Sequence, residues 1–123
     1  MNQKRIPKPS QVRRVPKQFS WVDHRLVRLG YLRGRSPHAL ALYLFLIIVG
    51  DADGVSWYGD ERISVELGFS QRAVREVRTE LQKAGLIVYD QPFYQVLALS
   101  DDPATLPKLE DALGSLANGR VSR

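Results

Sequence analysis

Apolar and polar positions along the chain follow two periods, and the switch between them marks out the elements. From Ser70 to Ala84 the period is helical: at about 100° per residue Val74, Val77, Leu81 and Ala84 share one stripe, and Arg72, Arg75, Thr79 and Gln82 point nearly opposite. One face packs and the other is free to meet a partner. Ser70 is placed to cap this helix through its hydroxyl, and Gly85 to end it in the left-handed conformation. A shorter helix is predicted from about Asp60 to Leu67, with Ile63 and Leu67 on one side. Gly68-Phe69 is too short a link for a long loop, so the two helices must cross steeply. After Gly85 the pattern becomes strand-like. Leu86 to Tyr89 and Phe93 to Leu99 are β-prone runs around a turn at Asp90-Gln91-Pro92, which predicts a hairpin.

Upstream, Ala39 to Val49 is apolar throughout and reads as a buried central helix, started by Ser36 as cap and Pro37 at the first position, where its missing N–H costs nothing. The run falls short of the roughly 18 residues needed to span a bilayer. Asp51-Ala52-Asp53-Gly54 should turn the chain into a short strand around Val55 to Trp57. Before the central helix, Val22, Leu26 and Leu29 recur at helical spacing behind a Ser20-x-x-Asp23 capping-box match, predicting a short helix from about Ser20 to Leu29 that packs by this face. Arg25 and Arg28 would lie away from it, as phosphate contacts or as ordinary solvated charges. Past Leu99, Leu109, Leu113 and Leu116 fit a short amphipathic helix that could pack back or pair with a second copy.

Composition changes the picture through charge. The net charge of +5 hides a segregation: Met1 to His38 carries ten of the 18 Lys and Arg and one acidic residue, Asp23, whereas Ala39 to Arg123 carries eight basic and twelve acidic residues. Residues 1–19 hold Lys4, Arg5, Lys8, Arg13, Arg14 and Lys17 interspersed with Pro7, Pro9 and Pro16, too little apolar surface to order itself alone. The chain therefore divides into a basic arm (1–19), one domain (20–99) and a tail (100–123). Its 123 residues and 44% hydrophobic content suffice for one real core. With no cysteine there are no disulfides or thiolate metal sites, and a reducing cytoplasm is the simplest setting.

The outward face of the 70–84 helix carries the candidate chemistry. The first turn of such a helix projects and fits a DNA major groove, about 12 Å wide, which brings Gln71, Arg72 and Arg75 to base edges. Arg can donate a pair of hydrogen bonds to guanine, and Gln can pair with adenine. Arg78 borders the apolar stripe, so its methylenes would lie on the core and its guanidinium would reach a phosphate or an acidic neighbour. The basic arm would follow phosphates or enter a minor groove, displacing counterions. The plainer alternatives are solvated helix charges paired with Glu76 or Glu80, and a solubilising arm without a partner. The hairpin holds no Lys or Arg from Leu86 to Leu99; Gln91, Tyr94 and Gln95 could still donate to DNA, although packing onto the helices is the commoner fate of such residues.

These residues carry a resemblance. The stretch from Trp57 to Ile87, with its LGFS turn, QRAVREVRTEL helix and AGLI strand start, resembles the winged helix-turn-helix domains of bacterial regulators and of plasmid or phage replication initiators, and the likeness extends over roughly Ser36 to Leu99. It implies a winged helix-turn-helix, mainly α with a small β-hairpin (α+β), to which this chain adds the N-terminal helix and the flexible basic arm read above. It implies DNA contacts by Ser70, Gln71, Arg72 and Arg75, on the helix that also presents Arg78 and Thr79. Two departures stand out: Arg78 occupies a place usually apolar, and the hairpin lacks its usual basic residue.

Catalytic signals are missing from the sequence. DADG matches the start of a calcium loop, but Val55 and Arg62 stand where the next acidic ligand and the closing Glu belong. His24 and His38 have no zinc spacing or triad partners, and no glycine-rich nucleotide loop occurs. The expectation is a non-enzymatic, sequence-preferring double-stranded DNA-binding protein without metal or cofactor, a transcriptional regulator or a replication or mobile-element accessory factor of the nucleoid, and a homodimer if two half-sites are read. The alternative is a protein-interaction module in which the acidic domain docks a replication, transcription or transposition partner.

Overall fold

A computed structural model describes residues 3–101. Four α-helices and a three-stranded antiparallel sheet make an α+β fold: α1 (Arg25–Arg28), α2 (Pro37–Val49), β1 (Val55–Ser56), α3 (Asp60–Leu67), α4 (Gln71–Lys83), β2 (Ile87–Asp90) and β3 (Phe93–Val96). The sheet runs β1-β3-β2, with Val55 opposite Gln95 and Val88 on the other side of Gln95. The tail helix expected around Leu109 to Leu116 lies outside the described residues.

The core is built from the stripes that the periodicity marks. Leu42 and Leu46 of α2, Ile63 of α3, Val74 and Leu81 of α4, and Leu86, Ile87 and Tyr94 at the sheet are all essentially inaccessible. Burying each such aliphatic side chain contributes about 1.5–3 kcal/mol relative to leaving it in water. The helix starts are made as the sequence predicts. The Ser70 hydroxyl accepts from the Ala73 N–H at 3.0 Å, and the Ser36 hydroxyl accepts from the Ala39 N–H at 3.2 Å. Ser36 is itself anchored, because its N–H and hydroxyl both donate to the Glu80 carboxylate at 2.7 Å. Glu80 thus serves the N-terminus of α2 and does not pair with an arginine of its own helix.

Two turns depend on glycine. Gly68, between α3 and α4, has φ +79°, which the Cβ of other L-residues resists. Gly54 has φ +80°, and a Cβ there would stand 2.8 Å from the Val96 carbonyl oxygen. That close approach lets the Val96 N–H donate to the Gly54 carbonyl and joins β1 to the sheet. Asp51 completes the same turn, its carboxylate accepting from the Asp53 and Val55 N–H groups at 2.9 and 3.0 Å. DADG is therefore a side-chain-braced turn.

Two expectations are corrected. The first helix covers only Arg25–Arg28, because Ser20 donates its hydroxyl to the Ile48 carbonyl and Asp23 accepts from the Arg25 N–H, so the capping box is not made. Leu26 of its predicted apolar face is buried, but Val22 is half exposed. The last strand stops at Val96, since the Leu97 N–H turns to the Leu86 carbonyl and the partner strands have run out. Beyond it the chain is tied back onto the segment after α1. The Tyr31 hydroxyl donates to the Ser100 carbonyl at 2.7 Å and accepts from the Ser100 N–H at 3.1 Å.

Tyr43, 4% exposed, gives the fold an alkaline limit. Burial first, then the charges of Asp23 and Tyr31, push its phenol up to about 12 from an ordinary value of 10.0. In the unfolded chain this phenol ionises near its ordinary value, so its contribution to stability is whole below that pH and is lost as pH rises toward about 12. Stability to urea should therefore fall between about pH 10 and 12 by up to about 1.4 kcal/mol per pH unit from this group. Tyr43→Phe should show a correspondingly shallower fall; an identical alkaline profile would place the titration elsewhere.

Candidate nucleic-acid interface

The outer face of α4 is assembled by the Ser70 cap and the burial of Val74, Val77 and Leu81 on the other side. Gln71, Arg72, Arg75 and Thr79 are exposed, as their spacing predicts. The Arg72 side chain is 83% exposed and reaches the Glu76 carboxylate only at 3.6 Å. Arg75 is 54% exposed and stands 3.9 Å from an Asp60 oxygen. Exposed pairs of this kind are worth about 0–1 kcal/mol, so either guanidinium can leave its carboxylate for a stronger acceptor. The Thr79 hydroxyl donates to the Arg75 carbonyl at 3.2 Å and so is held against its own helix.

Arg78 has a different fate from the other arginines of α4. Its side chain is 13% exposed, donates to Asp60 at 2.6 Å and to the Tyr94 hydroxyl at 2.8 Å, and lies over the Tyr89 ring at 4.3 Å. Burial works against its charge, but the hydrogen bonds to Asp60 and Tyr94 outweigh it and hold the guanidinium above its ordinary value. Of the two destinations the sequence allows, the acidic neighbour takes it, so Arg78 leaves the set of outward contacts. Tyr94 leaves with it, its phenol pushed up by burial against the opposing effect of Arg78. On the hairpin, Gln91 and Gln95 remain exposed.

Arg25 is also used internally. It is bound by Asp23 at 2.8 Å, by Asp101 at 2.8 Å and by the Leu99 carbonyl at 3.2 Å, and its hydrogen bonds hold the Asp23 carboxyl below its usual range. Arg28 stays exposed. Along the arm, Lys4, Arg5, Lys8, Arg13, Arg14 and Lys17 are all exposed, and none of their side chains has a hydrogen bond or ion pair among the described residues. A single 3-10 turn at Pro9–Gln11 is the arm's regular structure. Among the described residues no hydrogen bond or ion pair joins the arm to α4, so these two cationic surfaces are separate.

The residue that sequence reasoning missed is Asp60. It lies in the first turn of α3 with one carboxylate oxygen on Arg78, which it holds in place, and the other 3.9 Å from the exposed Arg75. The signal is the need of a borderline Arg78 for an acidic neighbour, but only the packing of α3 on α4 says which one. Among the described residues no group of three or more His, Cys, Asp and Glu is placed to hold a metal ion, and no helix is long and apolar enough to cross a membrane. No protein-family model, curated protein or solved structure matches the chain.

Proposed function

We propose that the protein binds double-stranded DNA with sequence preference, as a winged helix-turn-helix in which α3 and α4 form the helix pair and β2–β3 the wing. The observation that carries this reading is the outer face of α4, where Gln71, Arg72 and Arg75 stand exposed immediately after a capped N-terminus. Guanidinium and amide groups on a projecting helix start are suited to bidentate pairing with purine edges, at about 1–3 kcal/mol of discrimination each. The arm supplies a second, sequence-blind cationic surface for phosphates. In a bacterial cell such a protein would work at the nucleoid, as a regulator or a replication or mobile-element accessory factor.

Selection by the full-length protein from a randomised duplex pool should enrich a short motif. Binding without enrichment would remove base reading and leave phosphate binding; no binding at all would remove the whole assignment. Replacing Lys4, Arg5, Lys8, Arg13, Arg14 and Lys17 by Ala should weaken binding similarly on all sequences. It should also flatten the dependence of log K on log salt by up to about five units, near 0.9 for each phosphate no longer neutralised. An unchanged salt slope, read by fluorescence anisotropy, would show that the arm does not touch DNA.

One observation favours the protein-interaction reading. Trp57 and Phe93 are 63% and 49% exposed, in edge-to-face contact at 6.0 Å, beside a hairpin without a basic residue. Exposed aromatic pairs are typical anchors of protein contacts. Trp57→Ala that leaves motif selection intact while abolishing capture of a replication or transcription protein would support that second role.

A further inference from the structure

The segment that joins the arm to the domain is pinned to the end of α2, where the Ser20 hydroxyl donates to the Ile48 carbonyl at 3.4 Å. Beside this bond lies a cleft of about 510 Å³. Phe19 and Trp21 line it from the joining segment, Tyr43 and Ile47 from α2, and Leu97 and Leu99 from the chain beyond β3. The reverse face of α2, where Leu44 and Ile48 are exposed, lies outside it. A mostly apolar cleft of this volume falls within the roughly 300–1,000 Å³ of sites that take small organic molecules.

Two polar features of the cleft point to an occupant. The first is Tyr43, which is 4% exposed and whose hydroxyl makes no hydrogen bond among the described residues. That oxygen is not sealed off by other atoms of the protein, so it opens onto the cleft. Buried hydroxyls ordinarily have a partner, and an acceptor on a bound molecule would supply one. The second feature is charge. Asp51 and Asp53 line the cleft, both are exposed, and neither makes an ion pair among the described residues. Asp51 braces its turn through Oδ1 and keeps Oδ2 uncommitted. Arg25, the one basic side chain of the lining, is already held by Asp23, Asp101 and the Leu99 carbonyl. The cleft thus offers two available carboxylates and no available cation.

From this we infer that the cleft binds an amphipathic organic amine. Its apolar body lies against Phe19, Trp21 and Ile47, an acceptor in that body takes the Tyr43 hydroxyl, and its ammonium group sits at the rim toward Asp51 and Asp53. Phe19 and Trp21 are 68% and 77% exposed, and covering their rings supplies affinity. The carboxylates supply the choice of a cation over an anion of the same shape. A tryptophan face, being electron-rich, adds to that choice.

The inference stands apart from the DNA reading and is tested without nucleic acid. Dansylcadaverine and dansyl-6-aminohexanoate share an apolar ring system and a sulfonyl acceptor, and differ in ending with an ammonium or a carboxylate. In a Trp57→Phe background of the full chain Trp21 is the only tryptophan, so energy transfer from it to the dansyl group reports binding in the cleft. The amine should bind, and the carboxylate at least about tenfold more weakly. Tyr43→Phe, with an unchanged circular dichroism spectrum, should weaken the amine by about threefold to tenfold through loss of one hydrogen bond. Asp51→Asn with Asp53→Asn keeps the oxygen that braces the turn and should bring the two compounds within about threefold of each other. No binding of the amine by the full chain overturns the proposal, whether or not residues 102–123 close the cleft. Equal binding of the two compounds by the parent, or amine binding that neither set of substitutions alters, overturns it as well.

Discussion

With Arg72→Ala and Arg75→Ala combined, the protein should bind its selected site about a hundredfold more weakly while binding random duplex less than about tenfold more weakly. Each side chain can supply about 1–3 kcal/mol of base discrimination, against which the carboxylates at 3.6 and 3.9 Å compete little. Both side chains are exposed, so their removal leaves the core untouched and the weakening can be read as base-pairing energy. The comparison matters more than either affinity alone. Equal losses on both duplexes would mean that the two guanidinium groups sit on phosphates, and no loss on either would mean that α4 does not face DNA. Competition titrations at fixed salt give both numbers, since an affinity without its salt concentration has no meaning for such a protein.

The second large effect is on stability. Arg78→Ala should cost about 2–4 kcal/mol, measured by urea unfolding, because it leaves a part-buried Asp60 carboxylate and a fully buried Tyr94 hydroxyl without their shared donor. Arg78→Lys should fall between, since an ammonium keeps the charge but cannot stack flat on the Tyr89 ring while reaching both oxygens. Arg78→Ala in an Asp60→Ala background should cost at least about 1 kcal/mol less than in the parent, the mark of a coupled pair. Additive losses would show that the methylenes of Arg78, and not its charge, bind α4 to α3 and the sheet.

What the sequence discloses follows the range of the interactions involved. The limits of α3 and α4, the Ser70 cap and the outward set Gln71, Arg72, Arg75 and Thr79 depend on neighbours within a few residues, where spacing determines geometry. Arg78 is ambiguous in the sequence for the opposite reason. Its partners Asp60 and Tyr94 lie 18 residues before it and 16 after it, and the helical wheel is silent about both. The α2 cap shows the same division: Ser36 is legible as a cap from its place before Pro37, but its anchor Glu80 is 44 residues away. The short span of α1 belongs here too, since Asp23 has a local partner in Arg25 that competes with the capping role its position suggests. The reverse face of α2 is hidden differently, because an all-apolar segment looks wholly internal until the packing shows that only one side is covered.

The Tyr31–Ser100 and Arg25–Asp101 contacts bring the two ends of the body to one corner. Tension applied between residues 20 and 101 would load these polar bonds and the single turn of α1 before it reached α2, α3, α4 or the sheet. Because Leu26 and Tyr31 are buried beside those bonds, pulling the corner open would also draw apolar side chains out of the core, so the two ends resist tension together with the interior.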